Sequence, residues 1–293
     1  YGKIMIMTDQ DVDGSHIKGL IINFIASRWP SLLKIKDFMI NFLTPIVKVR
    51  HKSIKTKVYS FYNLYDFDEW MKENDDGKKY NVKYYKGLGT SSPKESKEYF
   101  KDPKHIIYEY DSLSEEKLDL AFNSKRSDDR KTWLAEYDNS NIIDMKNLNI
   151  SYDDFIDKEL IHFSNYDNKR SIPSVYDGLK PSQRKILYCC FKRKLVKEIR
   201  VAQLAGYVSE HGAYHHGEAS LNGAIVNMAQ NYVGSNNLNL LVPNGQFGTR
   251  LKGGDDSASE RYIFTYLNPI TRAVFPEADD AVLHYLDDDG QLV

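Results

Sequence analysis

Near its start the chain runs Lys3-Ile4-Met5-Ile6-Met7-Thr8, then Asp9-Gln10-Asp11-Val12-Asp13-Gly14-Ser15-His16, then the apolar Ile21-Ile22-Asn23-Phe24-Ile25-Ala26. A buried strand, a tight acidic turn and a helix form one βα unit, which carries its site at the carboxyl end of the strand. Carboxylates at three alternate positions bring hard oxygens within reach of one cation. Mg²⁺ takes one or two carboxylates and keeps positions for phosphate oxygens. Asp9, Asp11 and Asp13 are therefore candidate metal ligands, with a solvated acidic turn as the plain alternative. The spacing also matches the first half of an EF-hand calcium loop, but that loop requires a bidentate Glu at its twelfth position, where Leu20 stands, and a helix upstream, where a strand is expected. The segment Tyr1–Thr8 has no signal-peptide character and reads as a strand entered midway, so Tyr1 is not expected to be the biological N-terminus.

At 293 residues, with 41% hydrophobic and 28% charged residues, the chain has room for one to three domains with ordinary cores. It contains no run of eighteen apolar residues of the kind that crosses a bilayer. Cys189 and Cys190 are adjacent in an expected helix and read as small buried hydrophobes in a reducing compartment. A net charge of −1 argues against a nucleic-acid binder, but the average conceals a segregation. Thirteen Lys and Arg stand against eight acids from Asn165 to Tyr262, a net of +5, whereas six acids and no Lys or Arg follow Arg272. Phosphate binding responds to the local field, so the basic stretch is the relevant one.

Within that stretch, Gln246 to Ser259 is rich in Gly, Ser and Asp and reads as a loop that delivers Glu260-Arg261-Tyr262 to the apolar Ile263-Phe264-Thr265-Tyr266-Leu267. A tyrosine hydroxyl titrates near ~10, so at neutral pH it attacks only with the help of a base, a cation or a polarised phosphorus. Arg261 beside it is suited to a phosphate oxygen through its planar, permanently charged fork. The same two residues also suit a half-buried tyrosine with a surface arginine. Further upstream, Tyr84-Tyr85-Lys86-Gly87-Leu88-Gly89-Thr90-Ser91-Ser92 suits a turn whose backbone N–H groups approach phosphates, with Lys86 adding charge, or an ordinary glycine turn.

The order of several motifs is more specific than any one of them. Arg170-Ser-Ile-Pro-Ser-Val-Tyr-Asp-Gly-Leu-Lys180-Pro-Ser-Gln-Arg184-Lys185 is followed by Val201-Ala-Gln-Leu-Ala-Gly206, His211-Gly-Ala-Tyr-His215-His216-Gly-Glu218, Gln246-Phe-Gly248 and Arg261-Tyr262. In that order they resemble the DNA-cleaving winged-helix domain of type IIA DNA topoisomerases of the eukaryotic type. Thr8-Asp-Gln-Asp-Val-Asp-Gly-Ser-His-Ile-Lys-Gly19 resembles the DxDxD stretch of that family's TOPRIM domain, and Lys86 to Ser91 resembles a stretch that lies beside the DNA.

The resemblance implies a multidomain α/β plus α+β chain: the C-terminal part of a Rossmann-like TOPRIM domain with its tail over 1–110, a helical connector over 111–160, and a winged helix over 161–293. It implies that Tyr262 attacks a DNA phosphodiester to give a 5′-phosphotyrosyl link, that Arg261 holds the scissile phosphate, and that His216 contacts the same region. Arg170, Lys180, Arg184 and Lys86 are implied to grip DNA, with His215 either beside them or a structural hydrogen-bonding residue. Asp9, Asp11 and Asp13 would bind one or two Mg²⁺, completed by a glutamate from an earlier strand that does not precede Tyr1 here. The family implies double-stranded DNA as partner, a homodimer sharing each active site between subunits, and ATP in the full-length protein at a site outside this chain. A eukaryotic-type enzyme is expected in the nucleus, a viral or prokaryotic one in the cytoplasm. One departure is Glu260, where the family pattern usually has proline. A TOPRIM-type nuclease or primase and a non-catalytic winged-helix DNA-binding protein are the alternatives.

Periodicity adds further expectations: a helix ending near Trp29-Pro30, a strand from Phe42 to Arg50, helices at Ser114–Phe122 and Asp128–Leu134, and a flexible connection over Asp138–Ile150. An amphipathic helix is expected over Tyr152–Ile161, and one opened by Pro181 that runs to about Lys192.

Overall fold

The computed structural model describes residues 2–85, 87–145, 147–288 and 291–293, with Asp287, Asp288 and Gln291 described by their backbone alone. It divides into two compact units, Tyr1–Asn168 and Lys169–Val293.

The first unit begins with β1 (Ile4–Ile6), α1 (Val12–Arg28), α2 (Pro30–Leu33) and β2 (Met39–Phe42). β1 and β2 are parallel, with Ile4 opposite Met39, so the expected βα unit closes into βαβ. The strand is not buried on both faces as expected: Met5 is 49% and Met7 43% exposed on one face, while Ile4 and Ile6 turn to the core on the other. The expected strand from Phe42 to Arg50 is two strands, β2 and β3 (Val47–His51), separated at Pro45, which cannot donate to a ladder. β4 (Val58–Phe61), α3 (Leu64–Glu73) and β5 (Tyr80–Tyr84) follow, and β4-β3-β5 make a separate antiparallel sheet around Phe67 and Trp70.

Then come α4 (Pro93–Lys101), β6 (His105–Glu109), α5 (Ser114–Phe122), α6 (Ser127–Ala135), β7 (Asn149–Ser151), α7 (Tyr152–Phe155), a π-helical stretch at Ile156–Leu160, and α8 (Ile161–Ser171). The main sheet has the order β1-β2-β6-β7. The Asn- and Asp-rich stretch 138–150 is not a flexible connection: Ile143 and Ile150 are buried in the first unit's core, and β7 pairs in parallel with β6. Tyr108, Tyr152, Phe155 and Ile156 pack the same core together with Ile22 and Met39.

The second unit contains α9 (Pro181–Lys192), β8 (Ile199–Arg200), α10 (Val201–His211), α11 (Glu218–Ala229), β9 (Leu241–Asn244), β10 (Phe264–Leu267), α12 (Pro269–Val274) and a short hairpin, β11 (Asp287–Asp288) with β12 (Gln291–Leu292). Pro181 opens α9 as expected, since its fixed φ suits a first helical turn and no N–H is lost there. Ile186, Leu187, Cys189 and Cys190 form the buried face of α9 against Leu204, Leu221 and Leu241. Burial pushes the Cys189 thiol up to about 11 and the Cys190 thiol up to about 12, so both act as small hydrophobes. β8-β10-β9 form an antiparallel sheet in which Phe264 faces Arg200 on one side and Asn244 on the other.

Candidate active site

In the first unit Asp11 caps α1: it is extended, and its Oδ1 accepts the Gly14 N–H at 2.7 Å. Gly14 is obligatory, because a Cβ there would lie 1.8 Å from the Asp9 carbonyl oxygen. Gln10 ties the turn to the sheet by donating from Nε2 to the Phe42 carbonyl at 3.1 Å. Asp9, half-buried, accepts the Leu88 N–H on Oδ1 at 2.6 Å, and a Cβ on Gly87 would meet the same carboxylate at 3.1–3.2 Å. The Gly87-Leu88 backbone therefore rests on Asp9, joining two segments that the sequence keeps 79 positions apart. Lys86 lies outside the described residues.

Burial, and then the negative charges of Asp13 and Asp9, raise the Asp11 carboxyl above the usual carboxylate range, against a lowering from the Gly14 hydrogen bond. Three neighbouring acids with hard oxygen donors have the chemistry that suits a divalent cation. Among the described residues, no group of three or more His, Cys, Asp and Glu converges tightly enough to hold an ion by protein ligands alone. The chemistry of the donors, hard carboxylate oxygens, is that of Mg²⁺ ligands, an ion that takes one or two carboxylates and keeps several waters.

Beneath the turn, α1 is fastened by charge. Lys18, 3% exposed at its side chain, pairs with Glu159 of the π-helical stretch, and the Ser15 hydroxyl donates to Glu159 Oε1 at 2.7 Å. His16 stacks on Phe163 at 4.0 Å between ring centroids. Nothing in the sequence singles out Glu159. Glu95 is equally unmarked as a site residue, although Ser92-Pro93-Lys94-Glu95 is a capping-box signature that could have placed its carboxylate at the start of α4.

In the second unit Tyr262 is 75% exposed in the turn just before β10, and its N–H donates to the Ser259 carbonyl at 2.9 Å. Its base is packed: Ile263 is 2% exposed and Thr265 fully buried. The loop before it is pinned at several points. Gln230 donates from Nε2 to the Phe247 carbonyl at 2.8 Å, and Asp256 accepts the Thr249 N–H at 2.7 Å and the Thr249 hydroxyl at 2.8 Å. Ala258 N–H reaches the Gln246 carbonyl at 2.8 Å, closing the loop's neck. Gly248 adopts φ +97°, and a Cβ there would meet Gly254 Cα at 2.6 Å, so this glycine is required twice over. Arg261 is exposed beside the tyrosine. Glu260 is half-buried: its carbonyl accepts the Ala202 N–H at 3.1 Å, and it lines a 690 Å³ groove between α11 and Gly254–Ala258.

His215 is exposed, whereas His216 is half-buried with its ring edge-on to Tyr214 at 5.4 Å. Lys185 donates to the Ala213 carbonyl at 2.7 Å and so ties α9 to this histidine segment. Lys180, half-buried, is the residue before α9, where its N–H donates to Gln183 Oε1 at 2.8 Å. Arg184 donates from Nε to Asp177 Oδ2 at 2.8 Å while half of its side chain stays exposed. Arg170 is half-buried in the last turn of α8.

Two family models match almost contiguously: the C-terminal associated domain of TOPRIM over residues 42–168, and the A-type subunit of DNA gyrase/topoisomerase IV over residues 170–293. The junction falls where the chain divides into its two units. DNA topoisomerase 2 of Arabidopsis thaliana is 56% identical over 300 residues, spanning 100% of this chain and 20% of that protein. DNA topoisomerase 2-alpha of Homo sapiens is 54% identical over 308 residues, with the same coverage of each. A crystal structure of the Plasmodium falciparum topoisomerase II DNA-binding, cleavage and re-ligation domain superposes with a TM-score of 0.81 at 52% identity, covering 100% of this chain and 40% of that one. The chain belongs to the type IIA DNA topoisomerases. It spans about one fifth of the length of the curated relatives it matches.

Proposed function

We propose that this chain carries the DNA-cleavage chemistry of a type II topoisomerase, with Tyr262 as nucleophile. The observation that carries the reading is the loop itself: a hydroxyl 75% exposed on a backbone fixed by Gln230, Asp256 and β10, next to an exposed cationic fork. The Tyr262 oxygen forms a bond to phosphorus, the bond from phosphorus to the 3′ oxygen breaks, and the proton leaving the phenol is balanced by the one gained at the 3′ hydroxyl. The product is a 5′-phosphotyrosyl link, and the reverse reaction reseals the strand. Arg261 offers two parallel hydrogen bonds to the non-bridging oxygens as charge builds on them. His216 supports the same phosphate, while Arg170, Lys180, Arg184, Lys86 and His215 hold the neighbouring backbone.

The order of elements in the second unit, helix α9, strand β8, helices α10 and α11, then strands β9 and β10, supports a winged helix whose second strand pair brackets the tyrosine loop. Asp9, Asp11 and Asp13 would hold Mg²⁺, with a glutamate from elsewhere in the protein. When bound, the ion supplies positive charge to the phosphate and the departing oxygen. In the whole protein we place this chemistry in a homodimer whose subunits complete each other's sites, acting on double-stranded DNA, using ATP bound outside this region, and working in the nucleus. Among the described residues, no helix is long and apolar enough to cross a membrane.

The test uses the full-length protein with internally labelled plasmid DNA and Mg²⁺, quenched with detergent, and counts label bound covalently to protein. Wild type should trap DNA and Tyr262→Phe should trap none. Equal trapping by the two would remove Tyr262 from the chemistry, and DNA binding without any trapping would leave a binding protein.

A further inference from the structure

The acid turn is met by a second segment whose rigidity has a specific source. Residues 87–90 form a tight turn: Thr90 donates to the Gly87 carbonyl from its N–H at 3.0 Å and from its hydroxyl at 2.7 Å. The Leu88 N–H of this turn is the donor to Asp9. Just before the turn, the Tyr85 N–H is anchored on the Ile46 carbonyl at 2.8 Å. Just after it, Ser92 caps α4, with its hydroxyl 3.3 Å from the Glu95 N–H.

One buried carboxylate spans both ends. Glu95, 4% exposed, accepts the Tyr85 hydroxyl on Oε1 at 2.5 Å and, on Oε2, the Ser92 N–H and hydroxyl, both at 2.9 Å. Lys83 donates to both oxygens at 3.2 and 2.9 Å, and Arg50 lies 3.7 Å away. A capping box needs only the Ser92 contacts; the bonds to Tyr85 and Lys83 lie on the other side of the turn. Burial alone would raise the Glu95 carboxyl, yet the hydrogen bonds from Lys83, Tyr85 and Ser92 hold it well below the usual carboxylate range, as expected of a carboxylate kept ionised.

We infer that Glu95, with Tyr85, is a positioning residue for the metal carboxylate Asp9: it clamps both ends of the 87–90 turn so that the Leu88 N–H and the bare Gly87 backbone fix the orientation of that carboxylate. The inference rests on the proposed cleavage chemistry only in taking Asp9 as a metal ligand. Partners that orient a ligand in this way are worth 10- to 100-fold in metal affinity.

The experiment uses the full-length protein carrying Glu95→Gln or Tyr85→Phe, and two readouts. Mn²⁺ binding is titrated by electron paramagnetic resonance in a Tyr262→Phe background, where no chemistry occurs, and the Mg²⁺ dependence of covalent DNA trapping is measured with Tyr262 intact. Glu95→Gln should weaken Mn²⁺ binding about 10- to 100-fold and raise the Mg²⁺ midpoint in parallel, with trapping recovered at saturating metal. Tyr85→Phe keeps its ring against Lys48 and Lys83. It should shift both midpoints in the same direction by less, and it tests the inference even where Glu95→Gln fails to fold. A folded variant with a lowered melting temperature and an unmoved Mn²⁺ midpoint would overturn the inference, assigning Glu95 to stability alone. Wild-type protein that binds Mn²⁺ but traps no DNA, with the Glu95→Gln shift still present, would leave the inference standing and remove the cleavage reading.

Discussion

Around Asp9, the fold is held by ionised groups taken out of water: Glu159 with Lys18 and Ser15, and Glu95 with Lys83, Tyr85 and Ser92. Around Tyr262, it is held chiefly by neutral backbone and amide hydrogen bonds and by glycines in conformations that strain other residues, with the Asp256 carboxylate fastening Thr249. The two devices fail differently. A buried charge that loses its partner keeps its full desolvation penalty, so damage is abrupt. A loop pinned at many points loses about 1 kcal/mol per neutral hydrogen bond and loosens by increments. The difference suits the two tasks proposed above: carboxylates placed to face a cation need fixed neighbours of known charge, whereas a tyrosine placed to reach a phosphate needs a rigid backbone beneath an open side chain.

The largest expected effect tests the first half of that contrast. Lys18→Met leaves Glu159 buried against a side chain that cannot neutralise it, and should destabilise the first unit by about 3–5 kcal/mol in denaturant unfolding. Lys18→Met with Glu159→Leu, which removes both charges, should recover most of that loss. A single variant within about 1 kcal/mol of wild type would mean that the pair is not an energetically closed unit, and the contrast with the tyrosine loop would lose its basis.

A smaller effect tests the second half. Gly248→Ala forces a Cβ to within 2.6 Å of Gly254 at a φ of +97°. Backbone strain of this kind amounts to about 1–3 kcal/mol, read as a lowered melting temperature of the second unit, and covalent DNA trapping should fall because the loop bearing Tyr262 is displaced. Unchanged stability together with unchanged trapping would show that the loop tolerates rearrangement and does not preset the tyrosine.

The same contrast explains what can be read from the amino acids. The βα turn, the start of α9 at Pro181, the buried cysteine pair and the tyrosine loop are legible because each is local: a glycine, a proline or an alternation of apolar residues states its own geometry. The resemblance carried by Arg170 to Tyr262 adds the chemistry. Long-range partners are another matter. Glu159 looks like any acid on an amphipathic helix, and only the packing of α1 on the π-helical stretch turns it towards Lys18. The stretch 138–150 reads as a linker from its Asn and Asp content, yet Ile143 and Ile150 are enough to bury it and to seat β7 beside β6. Which face of a strand is covered is also invisible locally: Met5 and Met7 are as apolar as a strand buried on both faces would require, yet it is the face of Ile4 and Ile6 that packs on the core.

The smallest expected effect concerns Asp256, the carboxylate that fastens Thr249 in the tyrosine loop. Hydrogen bonds from the Thr249 N–H, and then from the Thr249 hydroxyl, hold its carboxyl below the usual carboxylate range. A depressed folded-state value means that ionised Asp256 stabilises the loop fully above the unfolded carboxylate pKa of about 3.9, and that this contribution disappears as pH falls through the lower folded value. Between about pH 5 and 9 the contribution should therefore be flat. Asp256→Asn keeps the shape but weakens the acceptor, so its melting temperature should lie slightly below wild type at about pH 7, and the gap should close as the buffer is taken from about pH 4 towards pH 3. A gap that persists unchanged at about pH 3 would mean that the charge of Asp256 is irrelevant to the loop, leaving its support to the glycines, Gln230 and the backbone hydrogen bonds.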